Sequence, residues 1–173
     1  MVLLVEDNLN DAQVIRMALE RSWVGESVTC VRNGVEALAY LMGDGQYADR
    51  RSFPLPRLVV VDVGLPGLSG WDVVGLVRRE ARFSGLPLVV VSGSDGRAEI
   101  ELAYRMGANS FILKRADATA FAGDMREVAR YWLGVCSLPG GPKDGVGGGA
   151  GFGLVGGARV RGTELGSGGS LAQ

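Results

Sequence analysis

The chain of 173 residues contains no histidine. That absence removes Ser-His-Asp and Cys-His catalysis, imidazole-ligated metals and any phosphohistidine carried by this chain, so its chemistry must run on carboxylates, lysine, hydroxyls and backbone groups. Cysteine is nearly as scarce. Cys30 and Cys136 lie far apart and fit neither a disulfide framework nor a zinc site. Both read as structural, Cys30 within an apolar strand pattern where a small buried thiol is ordinary. No apolar run approaches the roughly 18 residues of a membrane helix. The opening Met1-Val2-Leu3-Leu4-Val5 turns acidic at once, which gives no export signal, so a soluble, cytoplasmic protein is expected. A dominant charge sign is also missing: 18 Lys and Arg face 19 Asp and Glu, and the basic residues are scattered, so the electrostatic footprint of a nucleic-acid binder is absent. Neither a P-loop nor a G-x-G-x-x-G after the first apolar run occurs, which argues against a nucleotide enzyme.

What is present is a five-fold alternation. Short apolar runs at Val2 to Val5, Val28 to Val31, Leu58 to Val61, Leu88 to Val91 and Phe111 to Leu113 read as strands, separated by stretches of helical periodicity. The first helix is expected to start at a cap on Asn8 or Asn10 and to bury Val14, Ile15, Ala18 and Leu19. Later helices are expected over Val35 to Met42, Trp71 to Phe83, Arg97 to Met106 and Ala118 to about Val135, with Gly107 as a left-handed C-cap. In the last of these, Phe121, Met125, Val128, Trp132 and Val135 keep the spacing of one buried face. The third and fourth runs show no polar alternation, as befits strands covered on both faces, and the whole pattern predicts a parallel, doubly wound sheet. After Leu138 the composition changes. Pro139-Gly140-Gly141-Pro142 opens a segment holding about half of the 28 glycines, without periodic apolar pattern. The expectation is a domain over 1–138 and a disordered tail over 139–173, either a flexible linker or a frame-shifted end.

In open α/β sheets functional groups gather beyond the carboxyl ends of the strands. Here the first strand ends in Glu6-Asp7, the third in Asp62, the fourth in Ser92 and the fifth in Lys114, so these side chains are expected at one rim. Any one alone reads as a solvated loop residue or a cap, Asp7-Asn8 above all. Their coincidence at successive strand ends is what points to a site. Three crowded carboxylates need a compensating cation, and hard oxygen donors without histidine or thiolate suit Mg2+. Asp62 is then the natural nucleophile for an aspartyl-phosphate, with the Lys114 ammonium and the Ser92 hydroxyl placed to bind phosphoryl oxygens.

The stretches Leu3-Leu4-Val5-Glu6-Asp7-Asn8, Val61-Asp62-Val63-Gly64-Leu65-Pro66-Gly67-Leu68-Ser69-Gly70, Val91-Ser92 and Phe111-Ile112-Leu113-Lys114 resemble the receiver domain of two-component response regulators, over roughly Val2 to Leu138. The resemblance implies a flavodoxin-like α/β fold: a five-stranded parallel sheet of order 2-1-3-4-5 with helices on both faces. It implies a receiver-only response regulator, a signalling phosphoprotein and not an enzyme, in which Asp62 accepts a phosphoryl group from a separate histidine kinase. Asp7 and Asp62 would ligate Mg2+ directly, the Gly64 carbonyl would complete the protein ligands, and Glu6 would hold the metal through water. Ser92 and Phe111 resemble the switch pair, although Phe111 also reads simply as a half-buried strand aromatic. The stretch Glu36 to Leu41, the loop Gly45 to Asp49 and Tyr131-Trp132-Leu133 resemble stand-alone receivers that partner phytochrome-type kinases. That closer likeness implies a homodimer through the fourth helix, fifth strand and fifth helix, with Tyr131 or Trp132 near the contact; the spacing of the buried face puts Trp132 in the core instead and leaves Tyr131 the better contact residue.

Two departures from the family pattern stand out. Arg115 replaces the proline that usually follows the lysine across a cis peptide; without it the loop must hold a cis bond costing about 2.5–4 kcal/mol or go trans and displace Lys114. The alternative function is therefore a phosphorylation-independent interaction module. The first strand also begins almost at Met1, so fraying of that edge is expected.

Overall fold

The computed structural model describes residues 1–22 and 26–139. The expected disordered tail, Pro139 apart, lies outside the described residues. Five parallel strands, β1 (Val2–Val5), β2 (Val28–Val31), β3 (Leu58–Asp62), β4 (Leu88–Ser92) and β5 (Ser110–Leu113), form one sheet in the order β2-β1-β3-β4-β5. They alternate with α1 (Leu9–Glu20), α2 (Gly34–Met42), α3 (Gly70–Arg79), α4 (Arg97–Arg105) and α5 (Ala118–Ala129). This is the flavodoxin-like fold.

The strands are apolar throughout because both faces of the sheet are covered. Leu3, Val5, Val59, Val61, Leu88 and Val90 pack with Ala37, Tyr40 and Leu41 of α2, Val73, Val74 and Val77 of α3 and Ala103 of α4. The intervening residues Val2, Leu4, Leu58, Val60, Val89 and Val91 pack with Ile15 and Leu19 of α1 and Phe121, Met125 and Val128 of α5. Successive residues thus feed opposite cores, the period-two consequence of the pleat. In register, Val5 lies opposite both Val31 and Val61, and Ser92 opposite Leu113, so the carboxyl ends of all five strands share one rim. The strand order reverses between β1 and β3, which opens a crevice at that rim.

Local chemistry sets the element ends. Asn8, not Asn10, caps α1, its side chain accepting from the N–H groups of Asn10 and Asp11. Ser69 and Asp72 form a reciprocal capping box at α3. Gly43 and Gly107 take left-handed conformations after α2 and α4, as expected of Gly107. The loop after α2 is closed by Arg50, which donates to the carbonyls of Tyr40 and Leu41. Beside it Tyr40, Tyr47 and Phe53 pack tilted and edge-on, with ring centroids 4.9 to 6.1 Å apart.

Four expectations are corrected. The third helix ends at Arg79, and Ala81–Phe83 form a separate 3₁₀ turn. The last helix widens after Ala129 into a π-helical stretch, Arg130–Val135, in which the Cys136 N–H donates to the Tyr131 carbonyl five residues back. Past the widening Leu133 is buried and Val135 is 60% exposed, whereas Trp132, half-buried, packs against the core as expected. Cys30 is exposed, because β2 is an edge strand whose cover runs out at that position. The first strand is not a frayed edge either. β1 is paired on both sides, Val2 is fully buried, and the terminal ammonium of Met1 pairs with Glu26.

The close seat of α3 on the end of β3 depends on Gly70, where an added Cβ would stand 2.0 Å from the Asp62 carbonyl oxygen. Gly70→Ala is expected to lower stability by about 1–3 kcal/mol, seen as a lower urea midpoint with an unchanged m-value. Gly93→Ala, where an added Cβ meets nothing within 4 Å, should leave the midpoint close to that of the parent protein.

Candidate functional site

The chain leaves β1 directly into Glu6 and Asp7 and ends β3 on Asp62, so the sheet order alone brings these acids to the crevice between β1 and β3. One carboxylate oxygen from each lies within 4.8 Å of the others. Glu6 and Asp62 are buried, and Asp7 is partly exposed at the mouth. Such a hard, oxygen-only set fits a small divalent cation that keeps part of its water shell.

Lys114 follows β5 and enters the same crevice, its backbone N–H donating to the Ser92 carbonyl at 2.7 Å. The ammonium Nζ lies 2.7 Å from Glu6 Oε2, 2.9 Å from Asp11 Oδ2 and 3.0 Å from Asp62 Oδ1. The other Asp62 oxygen, Oδ2, accepts from the Gly64 N–H at 3.2 Å, so the carboxylate is oriented from both sides. Burial disfavours the Lys114 ammonium, but its hydrogen bonds to Glu6, Asp11 and Asp62 outweigh that and hold its pKa above the ordinary lysine value. Burial, with the Asp62 charge adding to it, pushes the Glu6 carboxyl above its ordinary range, and the bond from Lys114 offsets only part of this.

The residues expected at the rim are therefore brought together, with one qualification. The Ser92 hydroxyl donates to Glu99 Oε1 in the first turn of α4, at 2.5 Å, so it points to that helix and not among the carboxylates. Phe111 is half-buried and packs against the core beneath α2, α3 and α4. The expected choice at Arg115 is corrected. No cis peptide occurs among the described residues, yet Lys114 stays in the crevice; Arg115 turns outward and pairs with Asp124 of α5. Two partners were not anticipated, Asp11 and Glu99. Each sits in a first helical turn, where an acid reads as a favourable response to the helix dipole.

Comparison with known proteins agrees with this geometry. The family model described as "Response regulator receiver domain" matches residues 2–124. The chain is 32% identical, over 80% of its length and 87% of the other's, to a probable methanogenesis regulatory protein, FilR2, of Methanothrix harundinacea. Among solved structures, the phosphorylated cyanobacterial phytochrome response regulator RcpA superposes with a TM-score of 0.75 at 33% identity, covering 80% of this chain and 96% of RcpA. The Mn2+-bound form of the response regulator Rcp1, known from Synechocystis, gives a TM-score of 0.73 at 25% identity, covering 80% and 97%.

The raised pKa of Glu6 fixes the sign of a pH effect. The folded protein holds this proton more tightly than the unfolded chain, so the Glu6 contribution to stability falls as pH rises from about 4.5 through the folded value. In metal-free buffer, the unfolding free energy of Glu6→Gln relative to the parent should therefore rise between pH 4 and pH 7, read from paired urea titrations.

Proposed function

Because the chain belongs to the response regulator receiver family of two-component systems, we propose that Asp62 is its phosphoacceptor and that a partner histidine kinase supplies the phosphoryl group. The observation that carries this reading is the Asp62 carboxylate itself, buried at a strand end, with Lys114 Nζ 3.0 Å from one oxygen and the Gly64 N–H on the other. Receivers bind Mg2+ or Mn2+ at an acidic site. Asp7 and Asp62 would hold Mg2+ directly here, with the Gly64 carbonyl, and Glu6 through water. Bound there, the cation supplies neutralisation of charge on the transferred group.

In this reading the remaining steps fall to the chain's own groups. An Asp62 oxygen attacks phosphorus while the bond from phosphorus to the donor's leaving atom breaks, and the donor departs with that electron pair. Lys114 shifts its hydrogen bonds to a phosphoryl oxygen, which stabilises charge as it develops. Ser92 then gives up Glu99 for a second phosphoryl oxygen, and Phe111 turns further inward, which biases the surface formed by α4, β5 and α5. The domain acts as a signalling switch, not as an enzyme with a turned-over substrate. Retention of Lys114 in the crevice despite Arg115 favours this reading over a phosphorylation-independent module.

Incubation with Mg2+ and acetyl phosphate is expected to add one phosphate, seen by intact-protein mass spectrometry, and Asp62→Asn is expected to stay unlabelled. Equal labelling of that variant would show the assignment to be wrong.

The likeness to RcpA, by its name a phytochrome response regulator, supports a phytochrome-type kinase as partner, in the cytoplasm where such a soluble receiver would meet it. Among the described residues no helix is long and apolar enough to cross a membrane. On the face of β5 and α5 lies an open cavity of about 410 Å³ lined by Phe111, Leu113, Arg115, Asp124, Tyr131 and Trp132. Tyr131 is 51% exposed beside it, whereas Trp132 donates to Ser110 Oγ at 3.3 Å and is partly covered. This supports homodimerisation through α4, β5 and α5. Sedimentation velocity should give a dimer that Tyr131→Arg weakens; a parent protein that stays monomeric at high micromolar concentration would refute it.

A further inference from the structure

We propose that Asp11 is a positioning residue for phosphotransfer, holding the Lys114 ammonium in the crevice beside Asp62. The inference rests on the assignment of Asp62 as phosphoacceptor.

Three carboxylates surround this ammonium within 3.0 Å: it donates to Glu6 and Asp11 and is ion-paired with Asp62. The three partners are not equivalent. Glu6 and Asp62 belong, with Asp7, to the cluster whose oxygens lie within 4.8 Å of one another, and Asp11 does not. Were Asp62 to ligate a divalent cation, and Glu6 to hold it through water, Asp11 would be the carboxylate left wholly to Lys114. Without it, a cationic side chain would face a cation with no counter-charge of its own and would be driven outward into water.

Besides the favourable helix dipole, an acid at this position is ordinarily explained by a capping box, and the hydrogen bonds exclude the latter. Asp11 is the third residue after the cap, the place from which an acidic side chain commonly reaches back to the N–H of the cap residue. Here the Asn8 N–H donates instead to Glu6 Oε1, at 3.1 Å. Asp11 is thereby released from capping duty, and its side chain reaches Lys114, a residue 103 positions away in the chain. Glu6 thus does two things, binding Lys114 with one oxygen and occupying the cap N–H with the other. The first turn of α1 is in this way built into the site.

The test uses four full-length proteins: the parent, Asp11→Asn, Lys114→Ala and the double variant. Phosphorylation by acetyl phosphate at saturating Mg2+ is expected to be about tenfold slower in Asp11→Asn, the loss typical of one charge-assisted hydrogen bond. In the Lys114→Ala background the same change should cost less than about twofold, because Asp11 acts through the lysine. A second measurement needs neither metal nor phosphate. Lys114 and Lys143 are the only lysines, so peptide mapping after treatment with an amine-acylating ester reads each separately. Without Mg2+, Asp11→Asn should speed acylation of Lys114 about threefold, as expected for loss of one partner, and leave Lys143 unchanged. Parental rates of both phosphorylation and Lys114 acylation in Asp11→Asn would overturn the role of Asp11 and leave the Asp62 assignment standing. A tenfold further loss in the Lys114→Ala background would overturn it too, by showing action on something other than Lys114. Failure of the parent itself to be labelled would remove both readings together.

Discussion

Acidic side chains from different strands can share a rim only if positive charge sits among them. In this protein one ammonium, that of Lys114, contacts Glu6, Asp11 and Asp62 within 3.0 Å, and it arrives from the strand at the far edge of the sheet. Removing it would leave buried carboxylates facing one another in a medium far less polarisable than water. The shared lysine therefore links the first, third and fifth strands electrostatically, beyond what the sheet ladder already does. Against four carboxylates, Glu6, Asp7, Asp11 and Asp62, one ammonium leaves an excess of negative charge, which favours a second cation.

Under the proposed function, that arrangement would give the site two states with different partners for the same groups. Without a bound ion, Lys114 is the counter-charge for three carboxylates. Were Asp62 to accept a phosphoryl group as proposed, the same ammonium would be needed by the phosphoryl oxygens, and Ser92 would have to leave Glu99 to reach them. Each exchange would replace one charge-assisted bond by another. A phosphoryl group would then shift the equilibrium only by its differential affinity for the two states.

The scaffold around the site is correspondingly rigid. The apolar strands feed two separate cores, Gly70 seats α3 directly on the carbonyl end of β3, and Gly34 makes a similar close approach to Leu68. By contrast, the surface that would transmit the signal is less constrained. β5 is an edge strand with every residue only partly buried, and the last helix changes from α to π beside it, exposing Tyr131 and Val135. Stiffness at the carboxylates and looseness at β5 and α5 are the division of labour expected of a receiver.

The strands, the helix order and the identity of the rim residues were legible in the amino-acid sequence, because uninterrupted valine runs can only be strands covered on both faces and each ended on a functional group. Gly107 was legible for a local reason, that backbone geometry near a helix end selects very few residue types; the cap of α1 was narrowed to Asn8 or Asn10, and the structure decides for Asn8. What the sequence could not reveal depended on distance in space. Asp11 and Glu99 looked like ordinary first-turn acids, since nothing in their neighbourhood announces a lysine or a serine from another strand. Along the last helix Phe121, Met125 and Val128 are buried as expected and Trp132 packs against the core; only Val135, past the π-type widening, is exposed, and that widening has no local signature. Cys30 sits in the apolar pattern of a covered strand, and only the sheet order, which makes β2 an edge, leaves it exposed. Composition and periodicity thus determined the elements and the chemistry at their ends, while long-range packing alone decided which charges meet.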